Sequence, residues 1–178
     1  GKISEKDIDE KTIKESEMIF LEGYLWDEGE PKLAFDKAMS IANKKVMSLS
    51  DQFCVERHKN QFLDLVQNKL DIVFANEQEI KSLINVKKFE EVVSFGRQLK
   101  KLLVITRGAT GCIAINDNEV IECQSEKNLK IIDLTGAGDL FAAGFLHGHI
   151  NNFSIKDSLL KGTEMSAKII QKLGARLN

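Results

Sequence analysis

Ile131, Ile132, Asp133, Leu134, Thr135, Gly136, Ala137, Gly138 and Asp139 follow one another in the chain. They form an apolar approach, a small-residue turn, and an acid at the head of an apolar helix. Such a turn lays the N–H groups of Gly136, Ala137 and Gly138 at the positive end of a helix, where an anion is held. Asp139 beside them is placed to accept a proton from an attacking hydroxyl. The chemistry that needs these two things together is phosphoryl transfer, which depends on positioning and charge stabilisation. A carboxylate at a helix N-terminus is a weak base. In a loose transition state the proton leaves late, so orientation outweighs basicity. The same residues also spell a plain strand-to-helix turn with Asp139 as an ordinary cap. The run Leu140, Phe141, Ala142, Ala143, Phe145 and Leu146 favours the first reading. A helix so apolar rarely opens on an acid that has no task. Gly144 within it costs about 1 kcal/mol against Ala, which predicts close packing there.

Two other segments carry weaker signals. Thr106, Arg107, Gly108, Ala109, Thr110 and Gly111 join two apolar runs and offer hydroxyls and bare backbone to a phosphate. Taken alone, this is more simply a glycine-containing hairpin loop. Asn76 and Glu79 flank the start of a helix, a spacing that suits a group organising Mg²⁺ and phosphate through water. It equally suits a capping box, and the two are compatible. Asp51, at a strand end, is a further candidate. His147 and His149 sit two apart on one helix and do not share a face, so no metal pair is expected. His58 belongs to a charged helical face. There is no G-x-x-x-x-G-K-[ST] loop, no G-x-G-x-x-G after the first strand and no G-x-S-x-G elbow. A P-loop protein, a dinucleotide-binding dehydrogenase and an α/β hydrolase thus lack support.

The elements that must position these residues alternate in kind. Strands are predicted at 17–24, 45–50, 71–75, 102–106, 112–116, 120–123 and 129–133. Helices are predicted at 31–43, 56–69, 89–100, 139–150 and 155–173, the first with Pro31 in its opening turn. Short apolar runs without strict alternation, separated by amphipathic helices, argue an α/β fold with a mostly parallel sheet. Polar residues then collect at the strand ends: Glu22 and Tyr24, Asp51, Asn76, Thr106, and 133–139. Ligands bind at that edge of open α/β sheets.

Bulk properties narrow the class. The chain's 178 residues suffice for one domain with a core, and no internal boundary or repeat stands out. The formal charge is −2 with basic residues scattered, which speaks against a nucleic-acid surface. No run is long enough for a membrane span. Cys54, Cys112 and Cys123 lack any metal-binding spacing and read as reduced, buried thiols of a cytoplasmic protein. Gly1–Lys6 carries no initiator Met, as expected of a processed or partial piece.

The segment 133–139 resembles the C-terminal signature of the ribokinase-like (PfkB-type) carbohydrate kinases. Asn76 and Glu79 resemble that family's N-x-x-E motif, and Thr106, Arg107, Gly108 and Gly111 its nucleotide-binding turn. The segments 22–26 and 49–51 lean toward the adenosine-kinase-like branch. The resemblance implies a three-layer sandwich and an ATP-dependent kinase acting on a hydroxymethyl group of a sugar or nucleoside. It makes Asp139 the base, and Gly136, Ala137 and Gly138 the anion hole. It gives Asn76 and Glu79 an indirect hold on Mg²⁺, and lines the ATP site with Asn76, Thr106, Gly108, Gly111, Gly138 and Thr163. It extends to a monovalent-cation site, K⁺, at Asp133 and Thr135 near Gly174. Family members also carry an N-terminal half with substrate contacts and a β-sheet lid used for homodimers. This chain begins within the second half, so an exposed apolar sheet edge and little unaided activity are expected. The competing reading is a non-catalytic nucleotide-binding module of the same fold.

Overall fold

The computed structural model describes residues 3–26 and 29–177. Six strands run in one sheet, neighbours in space following the order of the chain, mostly parallel. The chain groups into two compact units, Gly1–Leu103 with Asn116–Asn118, and Val104–Ile115 with Glu119–Asn178.

The first unit holds α1 (Glu10–Glu15), β1 (Ile19–Glu22), α2 (Glu30–Ile41), β2 (Lys45–Ser48), α3 (Gln52–Arg57), α4 (Lys59–Asp64), β3 (Ile72–Asn76), α5 (Glu77–Ile84) and α6 (Phe89–Gln98). β1 pairs with β2, and β2 with β3, all parallel. Ile72, Val73, Phe74 and Ala75 are all buried, as an unbroken apolar run in a central strand should be. β1 lies at one edge of the sheet, and Phe20 on it is 37% exposed. The predicted helix over 56–69 is broken. Its chain changes direction at His58, and a π turn spans Leu65–Lys69, closed by Leu70 N–H to the Leu65 carbonyl at 2.9 Å. The wider turn lets Leu65, Val66 and Leu70 all reach the core. Asp51 is the N-cap of α3, accepting from Cys54 N–H at 2.8 Å. That bond holds its carboxyl below the ordinary range.

β4 (Leu102–Thr106) leads into the second unit, which holds β5 (Cys112–Ile115), β6 (Val120–Cys123), α7 (Ala137–Ile150) and α8 (Ile155–Ile170). β5 and β6 pair antiparallel. Gly144 meets α8 so closely that a Cβ there would sit 2.6 Å from the Lys161 carbonyl oxygen. One at Gly162 would sit 2.8 Å from the Phe141 carbonyl oxygen. The expectation of close packing at Gly144 is therefore met by main chain against main chain. The strand predicted over 129–133 is not one. Ile131 and Ile132 point outward, 62% and 52% exposed. The N–H groups of Ile132 and Asp133 donate to the Ile170 carbonyl at 2.8 and 3.3 Å, closing the end of α8 instead of joining a strand. Cys54, Cys112 and Cys123 are free and buried. Among the described residues no helix is long and apolar enough to cross a membrane.

Candidate active site

Gly136 occupies the N-cap position of α7 with φ +78°, a conformation that strains any side chain. A Cβ there would also lie 2.9 Å from that of Ala175. The turn is closed by the Ala137 N–H, which donates to the Leu134 carbonyl at 3.1 Å. Of the three amides expected to bind an anion, that of Ala137 is thus spent on the protein. Helical bonding begins with Leu140 N–H to the Gly136 carbonyl at 2.9 Å. Among the described residues no carbonyl accepts from the N–H of Gly136, Gly138 or Asp139. The available donors are therefore those of Gly136, Gly138 and Asp139 itself. The Asp139 carboxylate is exposed, on the first turn of α7, and no described residue holds it by hydrogen bond or ion pair.

A cleft of about 720 Å³ opens beside this turn within the second unit. Thr106, Gly108, Gly111, Ala137, Gly138 and Thr163 all line it. The size suits a nucleotide-sized ligand. A Cβ on Gly138 would meet nothing within 4 Å, so nothing in the protein requires a glycine there. The position opens onto the cleft. Gly111 is required by the fold: with φ +108°, a Cβ would fall 2.0 Å from the Cys123 carbonyl oxygen. The Thr163 hydroxyl donates to the Leu159 carbonyl at 2.9 Å and lies 3.5 Å from the Cys112 sulfur. Burial pushes the Cys112 thiol up to about 11, which makes it an inert wall. Cys112 and Phe141 line the cleft without having been singled out from sequence. The available signals were their positions, one after Gly111 and three after Gly138 on the same helical face.

Asn76 and Glu79 belong to the first unit. Glu79 N–H donates to Asn76 Oδ1 at 2.8 Å, Asn76 N–H to Glu79 Oε2 at 2.8 Å, and Asn76 Nδ2 to Glu79 Oε1 at 2.6 Å. The capping box is complete. Burial pushes the Glu79 carboxyl above its ordinary range, against the pull of the Asn76 N–H and with the help of nearby Asp51 and Glu22. Both Glu79 oxygens are engaged and the residue is 5% exposed, so the pair offers a metal no open ligand. Among the described residues no group of three or more His, Cys, Asp or Glu is arranged to hold a metal ion. Asp133 and Thr135, expected at a cation site, bond to each other: Asp133 Oδ1 accepts from Thr135 N–H at 2.9 Å and from its hydroxyl at 2.7 Å. Asp133 Oδ2 accepts from Gly174 N–H at 2.9 Å. The Thr135 and Gly174 donors keep the Asp133 carboxyl below its ordinary range.

Residues 2–178 match the model of the pfkB family carbohydrate kinases. The ribokinase of Lactococcus lactis is 31% identical over 164 residues, 92% of this chain and 51% of the relative. Among solved structures, the adenosine kinase of Sinorhizobium meliloti superposes with a TM-score of 0.94 at 32% identity, covering 98% of this chain and 55% of that one. A putative ribokinase II of E. coli, solved with ATP and Mg²⁺, superposes with a TM-score of 0.86 at 21% identity over 98% of this chain and 59% of its own. The chain thus spans about half the length of the curated relatives it matches. Motif, sheet and family match agree: this chain belongs to the pfkB family of carbohydrate kinases.

Proposed function

We propose that this chain carries the ATP-binding side and the proton acceptor of a kinase that phosphorylates a hydroxymethyl group of a sugar or nucleoside. The observation that carries the reading is the head of α7, where unspent amides and an unengaged Asp139 carboxylate adjoin an open cleft.

ATP lies along the cleft with its base toward Thr163 and its phosphates toward Gly108 and Gly138. The acceptor's hydroxyl oxygen attacks the γ-phosphorus, an O–P bond forms, the bond to the β-phosphate oxygen breaks, and ADP leaves. The hydroxyl proton passes to Asp139. The amides of Gly138 and Asp139, with the dipole of α7, stabilise charge on the moving phosphoryl group. Mg²⁺ would come bound to the triphosphate and would supply charge neutralisation there. Asn76 and Glu79 act on it only at a distance, through water. Three free buried thiols accord with a reducing, cytoplasmic setting.

By itself the chain binds nucleotide and turns over little, because substrate orientation and water exclusion depend on more of the enzyme than this half-length match covers. Calorimetric titration of the chain with ATP tests the first part. An ATP-consumption screen of the complete gene product against ribose, fructose, adenosine and related acceptors tests the second. Binding with no transfer to any acceptor would instead identify a nucleotide-binding module. Absence of binding would remove the reading.

A further inference from the structure

The turn at the head of α7 is held from behind by the last residues of the chain. The Ile170 carbonyl takes the N–H groups of Ile132 and Asp133. Asp133 then divides its carboxylate, one oxygen to the Thr135 N–H and hydroxyl, the other to the Gly174 N–H across 41 residues. Gly174 reaches that position with φ +84°, and a Cβ on it would meet nothing within 4 Å, so only the backbone conformation calls for glycine. The next residue, Ala175, fills the space against Gly136 that a side chain there would need. The Ala137 N–H to Leu134 and Leu140 N–H to Gly136 bonds hold the turn from within; the Asp133, Gly174 and Ala175 contacts hold it from outside.

We infer that Asp133, Gly174 and Ala175 are positioning residues for phosphoryl transfer, the segment after α8 acting as a brace that sets the direction of the anion-binding amides. None of the three touches the reacting groups; each acts through the Gly136 turn. The inference rests on the kinase reading for its consequence, but not for its geometry. It also changes the role of Asp133: both of its oxygens take donors from the protein's own chain, so the carboxylate serves as a latch of the turn instead of a cation ligand.

The test uses the full ¹⁵N-labelled chain and its Asp133→Ala, Asp133→Asn and Gly174→Pro variants, with thermal melts confirming that each is folded. In ligand-free protein, hydrogen exchange at Ala137 N–H reports closure of the turn. Asp133→Ala and Gly174→Pro are expected to lose about tenfold or more of that protection. Asp133→Asn keeps the Thr135 arm and loses the Gly174 arm, and falls between. With nucleotide, the ratio of ATP to ADP affinity is expected to drop about tenfold in Asp133→Ala, while adenosine binding stays within about twofold. Unchanged Ala137 protection in both severe variants overturns the brace. So does an equal fall for ATP, ADP and adenosine, which marks a general structural role. A rise in Ala137 protection when K⁺ replaces Na⁺ overturns the latch in favour of a cation. If the unmodified chain binds no nucleotide, the kinase reading fails, and Ala137 exchange still decides the brace.

Discussion

α5 and α7 both start at a turn with an acid in the first helical turn, yet they spend their ends differently. At α5 the Asn76 side chain caps the helix, Glu79 returns the bond, and the carboxyl lies buried with both oxygens engaged. At α7 the cap position holds Gly136, no side chain caps the helix, and Asp139 stands exposed. The first arrangement converts orphan donors into stability. The second leaves them open, and the stabilisation is supplied from elsewhere, by Asp133 and the residues after α8. A helix end that must hold a ligand cannot also be capped by its own side chain. Its order has to come from groups that do not occupy the donors.

The sharpest way to break this contrast is Asp139→Asn. The complete enzyme is expected to lose about 10²–10⁴ in turnover, with ATP binding and unfolding free energy within about 0.5 kcal/mol of normal. A phosphoryl-transfer assay beside denaturant unfolding checks both. Gly136→Ala reverses the pattern. It imposes left-handed strain and a clash with Ala175, a loss of about 2–4 kcal/mol read from urea unfolding. Asn76→Ala removes the cap and takes one donor from buried Glu79, and about 2 kcal/mol of stability should go with it. If ATP affinity of the chain fell more than stability in that variant, the division between a capped end and an open end would fail. Gly138→Ala is gentler. The space is open and the helix gains up to about 1 kcal/mol, while ATP affinity falls about tenfold, as calorimetry would show.

Acid titration offers the smallest and most diagnostic effect, because the two ends carry opposite signs. Asp133 is held below its ordinary range, so the stability it contributes is present above that range and disappears as pH falls through the lowered value. The deficit of Asp133→Asn should therefore be full at neutral pH and vanish in acid. Glu79 is raised by burial, so its contribution is present in acid and declines as pH rises through the raised value. The deficit of Glu79→Gln should shrink with rising pH. Unfolding curves between about pH 3 and 7 cover the ordinary carboxyl range and separate the two slopes.

What could be read from sequence was what is encoded locally. The Asn76–Glu79 box, the Gly136 turn and the apolar run of β3 each lie within a few residues, and their side chains dictate the backbone directly. The turn at 106–111 was legible only as a candidate. Gly111 shows its necessity through Cys123, which lies beyond the turn in the chain. Residues 129–133 looked like a strand because apolar residues alternate poorly in either case. What decides them is the end of α8, nearly 40 residues away, whose last carbonyls needed partners. The π turn at Leu65–Lys69 followed from where the core of the first unit needed Leu65, Val66 and Leu70. The latch from Asp133 to Gly174 had no local signal, since the spacing of the two residues carries no periodicity.

The crossing of α7 and α8 has a mechanical corollary. At Gly144 and Gly162 main chain comes against main chain, with Met165 and the Phe141 ring filling the rest of the crossing. A side chain at either glycine would force the two rods apart. Gly138, six residues ahead of Gly144, and Thr163, next to Gly162 on the other rod, are thereby held to one close helix crossing. Any change in the width of that cleft wall must then come from elsewhere than a shift of one helix along the other.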